Sequence, residues 1–230
     1  MTWVLANLGL LVERTIAHLA LAIPSIAAAF VLSIPLGWAA FRFRPVRGPL
    51  LTGAGLLYAI PSLPLFVALP ALIGTGARDP INVIVALTLY GIALMTRSVA
   101  DALAAVPPET RQSATAVGYS PWGRFWFVEI PLAGPAILAG LRVVTVSTVS
   151  LVTVSAVLGV DSLGLLFTDG FQRGIVAEVV AGLVLTIAVA LALDAVVVLG
   201  GRLLMPWTRV GRVSRVRRRV AAKQAVEVGA

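Results

Sequence analysis

Residues 106–131 read V-P-P-E-T-R-Q-S-A-T-A-V-G-Y-S-P-W-G-R-F-W-F-V-E-I-P, from Val106 to Pro131. The stretch is polar and charged while the chain on both sides of it is apolar, so everything else is organised around it. Pro107 and Pro108 can open a helix in its first turn, where a missing N–H removes no bond. Glu109 then stands near the positive end of the helix dipole, and Gly118 is placed to end the helix or turn the chain. The expected local structure is a short amphipathic helix, a glycine turn and an aromatic group, Trp122, Phe125, Trp126 and Phe127, suited to the rim of a bilayer. A charged segment held between two hydrophobic runs is built to meet a partner.

Outward from this segment, composition sets the class. Hydrophobic residues make up 59% of the chain and charged residues 12%, with a mean hydropathy of +1.00, whereas a soluble domain carries about a quarter charged residues. The chain is expected to be an all-α, polytopic membrane protein. A crossing takes roughly 20 residues, and five apolar stretches qualify: Ile16 to Phe41, Leu51 to Ile73, Ile81 to Thr96, Pro135 to Leu158 and Val179 to Leu204. Between the last two, Gly159 to Gly174 is too short to cross and suits a small interfacial or re-entrant helix built on Leu163, Leu165, Leu166 and Phe167.

Arginine placement orients the spans, because basic residues near span ends stay on the cytoplasmic side. Arg42, Arg44 and Arg47 follow the first span, Arg97, Arg111 and Arg124 the third, and Arg202 with the arginine-rich tail the fifth; the opposite faces hold Arg14, Arg78 and Arg173. This puts the amino terminus outside, and the 106–131 segment and the carboxyl terminus in the cytoplasm. Residues 1–205 form the transmembrane unit and 206–230 a basic cytoplasmic tail. The net charge of +8 suits anionic headgroups, worth about 1 kcal/mol per basic residue near the surface, and calls for no nucleic acid. Met1 to Leu11 has no basic residue ahead of its apolar run and is expected in the mature protein. Cysteine is absent, which excludes disulfides and thiolate chemistry.

Several polar groups fall inside the spans. Arg142 and Asp194 lie in the fourth and fifth, toward the cytoplasmic half, and ionisable groups there are costly enough to pair, face the bundle interior or border water. They are expected to pair or to share a polar network that locks the two helices. Thr145, Thr148, Val152, Ser155 and Gly159 fall on one face at helical spacing. Such a face permits close packing, against a second subunit for example, or lines a polar path. Pro61 and Pro64 interrupt the second span around Ser62, and broken helices often border a substrate route.

On these residues the chain resembles the inner-membrane permeases of binding-protein-dependent ABC importers, with the MetI-like fold. Their cytoplasmic loop carries E-A-A, three residues, G, nine residues, I-x-L-P, a pattern that falls here on Gln112, Ser113, Ala114, Gly118, Val128, Ile130 and Pro131. Ile60 to Leu65 (I-P-S-L-P-L), Val128 to Leu132 (V-E-I-P-L), Leu138 to Val143 (L-A-G-L-R-V) and Asp161 to Gly164 (D-S-L-G) resemble the branch that imports glycine betaine, carnitine, choline and related osmoprotectants. Where that branch commonly shows glycines before its L-G, this chain has Val160, Asp161 and Ser162.

The resemblance implies a bacterial plasma-membrane subunit that forms a pathway as a homo- or heterodimer, with an external binding protein and two ATPase subunits. Gln112 to Gly118, with Glu109 ahead of it and Pro131 beyond, would be the helix that docks the ATPase. The Gln112 amide keeps hydrogen-bonding capacity where the acid is lost. A quaternary ammonium solute would favour aromatic faces, and Tyr58, Phe66 and Tyr90 are the candidates.

The chain carries no Walker-type phosphate loop, so ATP and Mg belong to the partner ATPase and no cofactor is expected here. His18, the one histidine, is too isolated for a metal site or a triad, and there is no catalytic constellation and no inverted repeat. Two alternatives stand beside the osmoprotectant importer. One is a related importer of an amino acid, a methylated amine or a thiol-containing betaine; the other is a membrane scaffold that binds a cytoplasmic partner without moving solute.

Overall fold

A computed structural model describes residues 2–209. The basic tail expected over 206–230 therefore lies, from residue 210 onward, outside the described residues. Among the described residues every regular element is a helix. In chain order these are α1 (Thr2–Ala6), α2 (Leu8–Arg42), α3 (Arg44–Ala59), α4 (Ser62–Ile73), α5 (Pro80–Ala104), α6 (Pro108–Ala116) and α7 (Pro121–Arg124). A π-helical turn (Phe125–Glu129) leads into α8 (Ile130–Val152), and a 3-10 segment (Thr153–Leu158) follows it. Then come α9 (Gly164–Gln172), α10 (Val176–Leu204) and a last 3-10 turn (Pro206–Arg209).

Among the described residues four spans are long and apolar enough to cross a bilayer: α2, α5, the continuous 121–158 run and α10; the bent pair α3 and α4 makes a fifth crossing if counted as one. The expected five stretches are thus present, with corrected limits. The first begins at Leu8 rather than Ile16 and runs 35 residues, roughly 50 Å at 1.5 Å per residue. The third, expected as the shortest, is a 25-residue helix and the most enclosed of the four. Its extension past Thr96 passes through Arg97 and Asp101, which stay exposed, while Val99, Ala100, Ala102 and Leu103 continue the buried face. A charge on the open side of a helix does not end it. The fourth begins near Pro121, so that the aromatic group at 122–127 is already helical.

Close approach of small residues holds α2 against α5. Ala22, Ser25, Ala29, Ser33, Gly37 and Ala40 form a buried stripe along α2. A side chain at Gly37 would bring a Cβ 2.5 Å from Val99 Cβ, and one at Gly91 would meet Ala29 Cβ at 2.4 Å and Val144 Cγ1 at 3.3 Å. Glycine is therefore required where α2, α5 and α8 converge. Such packing is how spans associate when lipid removes the hydrophobic drive between them. His18, fully buried on α2, adds a polar tie through Nε2, 3.1 Å from the Val149 carbonyl of α8.

The second expected span is two helices meeting at 104°. Ile60 precedes Pro61 and is extended (φ −65°, ψ 128°), the conformation that a following proline imposes. Pro64 sits inside the first turn of α4 and does not break it. The short helix expected within 159–174 is α9, nine residues long, about 14 Å and too short to cross.

Candidate functional site

The polar segment folds into the short helix α6, closed by a glycine cap of the Schellman type. The Tyr119 N–H donates to Ala114 O (3.1 Å) and the Gly118 N–H to Thr115 O (3.0 Å), with Gly118 at φ +100°. Only glycine takes that backbone freely. Ser120 then caps α7 by accepting from the Gly123 N–H at 3.1 Å, and Pro121 starts that helix. Ala114 is buried, whereas Glu109, Gln112, Ser113, Ala116 and Val117 are exposed, Val117 by 79%. The one letter of E-A-A that this chain keeps, Ala114, is the one its own fold buries. The two that differ, Gln112 and Ser113, lie on the open face.

Beneath α6 the structure assembles a polar chain that the motif did not point to. Thr115 Oγ1 donates to Arg111 O (2.9 Å) and accepts from Arg124 Nη1 (2.9 Å). Arg124 Nε donates to Glu129 Oε1 at 2.9 Å, and Glu129 is 2% exposed. On the other side of α6, the Arg111 guanidinium donates to Val106 O at 2.6 Å and lies 5.0 Å from the Phe41 ring centre. Arg124 and Glu129 are five residues apart, a spacing that puts side chains on different faces of an α-helix. The π turn brings them together, with the Ile130 N–H bonded to Phe125 O. Trp38, Trp122, Phe125 and Trp126 pack edge-to-face or stacked around this turn.

At the α3–α4 break, the Tyr90 hydroxyl donates to Ile60 O at 2.5 Å. Ile60 is extended and lies outside both helices, and α4 makes its first bond from the Leu65 N–H to Pro61 O, so no helical donor reaches the Ile60 carbonyl. Within α8, Pro135 has no N–H to give Pro131 O, and Trp207 Nε1 donates to that carbonyl instead at 3.2 Å. Tyr58, 47% exposed, meets Tyr90 edge-to-face at 6.0 Å. Pro61 is exposed and Ser62 half-buried beside it. Phe66 and Tyr90, expected as open aromatic faces, are instead part of the chain's own core. Of the three candidate rings only Tyr58 is accessible.

Thr145, Thr148 and Ser155 need a similar correction. They are buried within one chain, because α8 turns that face toward α5 and α2. Packing is what the face does, and it does so against the chain's own helices rather than a second subunit or a path. Thr145 Oγ1 bonds its own helix at Leu141 O, and Ser155 meets Ser162 Oγ at 3.3 Å. Ser162 in turn accepts from the Gly164 N–H. Gly164 lies so close to Thr153 that a Cβ there would fall 2.0 Å from its carbonyl oxygen, and Asp161 is ion-paired with Arg14 of α2. The D-S-L-G stretch is thus a structural joint at the end of the bundle opposite α6.

Arg142 and Asp194 do meet, in a two-pronged ion pair with Nε–Oδ1 2.7 Å and Nη2–Oδ2 2.8 Å. It links α8 to α10. The Arg142 side chain is 49% exposed on the outer surface of the chain, so the pair lies at the bundle's edge rather than in its interior.

Comparison with known proteins accounts for this arrangement. Residues 11–210 match the family described as binding-protein-dependent transport system inner membrane component. The osmoprotectant import permease protein OsmW of Salmonella typhimurium strain LT2 is 32% identical over 84% of this chain and 90% of its own length. The glycine betaine/carnitine/choline transport system permease protein OpuCB of Bacillus subtilis strain 168 is 26% identical over 90% of this chain and 94% of its own. Among solved structures, a chain of the inward-facing MetNI methionine ABC transporter superposes with a TM-score of 0.73 at 21% identity, over 87% of this chain and 97% of that one. That likeness carries the fold alone. With its helical spans, its α6 loop and a family match over nearly its whole length, the chain belongs to the inner-membrane components of binding-protein-dependent transport systems.

Proposed function

We propose that this chain is the pathway-forming subunit of an ATP-driven importer of osmoprotectants with a quaternary ammonium group, such as glycine betaine, choline or carnitine. The observation that carries the coupling half of this proposal is α6 itself, a capped helix whose inner residue Ala114 is buried while Gln112, Ser113, Ala116 and Val117 stand open. A short rigid helix of this kind suits a groove on an ATPase and can pass on a rigid-body movement. ATP and Mg are held by that separate ATPase, and this chain binds no cofactor. The osmoprotectant half is supported by what the relatives OsmW and OpuCB are named for carrying. The importer works with an external binding protein and a second permease subunit, with the amino terminus outside and α6 in the cytoplasm, the side on which the arginines following the first and third spans place it.

The test is ATP hydrolysis by the reconstituted complex of permease, ATPase and binding protein, titrated with glycine betaine, choline, carnitine and proline. Stimulation by one of the first three is expected. A flat response to all four, in a complex that still hydrolyses ATP, removes the osmoprotectant assignment and leaves the permease. A chain that binds its cytoplasmic partner without altering the partner's own rate of hydrolysis, in vesicles that take up no solute at all, is a scaffold.

A further inference from the structure

The contacts beneath α6 point to a role for residues that the loop motif does not include. Three observations converge. Glu129 is a nearly fully buried carboxylate whose one ion-pair partner among the described residues is Arg124. Arg124 also holds Thr115, on the last turn of α6. The π turn is what makes the pair, because it brings Glu129 back under Arg124 at the head of α8. A lone buried carboxylate is expensive, so Glu129 keeps Arg124 in place, and Arg124 keeps α6 in register with the long 121–158 helix. Without this link, α6 joins that helix covalently only through the Gly118 turn, the most pliable residue in the segment.

We propose that Arg124 and Glu129, through Thr115, are positioning residues that transmit displacement of α6 into α8. The linkage rests on α6 being the ATPase-docking element proposed above. It makes α6, the π turn and α8 move as one body, and it is a specific physical connection of the kind that coupling between distant sites requires. π turns recur at functional sites for this reason: they place side chains where a regular helix cannot.

The experiment uses the reconstituted complex with its ATPase and binding protein, and reads solute imported per ATP hydrolysed, with the amount of assembled complex measured in the same preparation. Glu129→Gln and Arg124→Gln are each expected to lower that ratio about fivefold or more in complexes that still assemble and hydrolyse ATP. The exposed Thr115→Val, which leaves Glu129 paired, is expected to lower it about twofold. The exchange Arg124→Glu with Glu129→Arg restores an ion pair but leaves Thr115 without its donor, and should recover assembly without recovering the ratio. A purely structural role would reduce the yield of complex and leave the ratio unmoved in what assembles. Should Glu129→Gln fail to fold, Thr115→Val and Arg124→Lys still decide, since Lys keeps the charge opposite Glu129 but gives up the second prong to Thr115. An unchanged ratio in Thr115→Val and in the assembled Arg124 variants overturns the linkage. Wild-type permease that fails to bind the ATPase through α6 instead overturns the docking assignment on which it rests.

Discussion

The Tyr90 hydroxyl lies 2.5 Å from the carbonyl oxygen of Ile60, an acceptor in the extended break between α3 and α4 that no helical N–H reaches. One side chain of the central helix α5 thereby holds the corner between α3 and α4, a break that would otherwise place an unpaired carbonyl at bilayer depth. Inside hydrocarbon no water replaces such a bond.

Tyr90→Phe keeps the ring and its contact with Tyr58 but removes the donor. It should lower stability by about 1 kcal/mol, read as an earlier thermal transition of the detergent-solubilised protein. Tyr58→Phe, which touches no carbonyl in this structure, should leave the transition where it is.

The Arg142–Asp194 pair offers a sharper contrast. Either single reversal, Arg142→Asp or Asp194→Arg, places like charges together and should cut the yield of folded protein on size-exclusion chromatography, while the double reversal recovers it. The apolar double Arg142→Met with Asp194→Leu separates two roles, since a well-packed apolar pair often replaces an ion pair without loss. Recovery of folding with loss of solute uptake would show that this half-exposed charge borders the transport route.

Gly118 at φ +100° is required by the cap that ends α6. Gly118→Val should strain that turn by about 1–2 kcal/mol and weaken association with the ATPase in a pull-down, with the global thermal transition nearly unchanged. Gly118→Asn, whose side chain tolerates the left-handed region better, should weaken it less.

Small residues at the α2–α5 contact should resist enlargement. Gly91→Leu and Gly37→Leu force atoms into Ala29 and Val99 and should each cost about 1–3 kcal/mol by overpacking, seen as loss of the monodisperse peak. Gly53→Leu, in open space on α3, is the control and should leave the peak intact.

Much of the candidate site could be read before any coordinates. The two prolines, Glu109 and Gly118 announced α6 and its cap, because helix starts and stops depend on local chemistry. The Arg142–Asp194 pair followed from the cost of a lone charge at bilayer depth. The stripe Ala22, Ser25, Ala29, Ser33, Gly37, Ala40 was missed in the sequence, although its three- and four-residue spacing is the signal that would have marked the face α2 turns to α5. Arg124 and Glu129 were not legible as a pair, since a five-residue separation becomes a contact only through the π turn.

The sequence by itself determined that the chain is a bundle of spans interrupted by one polar helix, and which family it resembles, because hydropathy, proline and glycine act over a few residues. Only the tertiary structure decided which polar groups face inward. Phe66, Tyr90, Thr145, Thr148 and Ser155 have the composition of a pathway and are buried in the core of one chain, while Tyr58 and Arg142 remain open. Helical spacing says that residues share a face. What that face meets depends on the rotation of each helix against neighbours far away in sequence, and here that rotation follows from the close contacts at Gly37, Gly91 and Gly164.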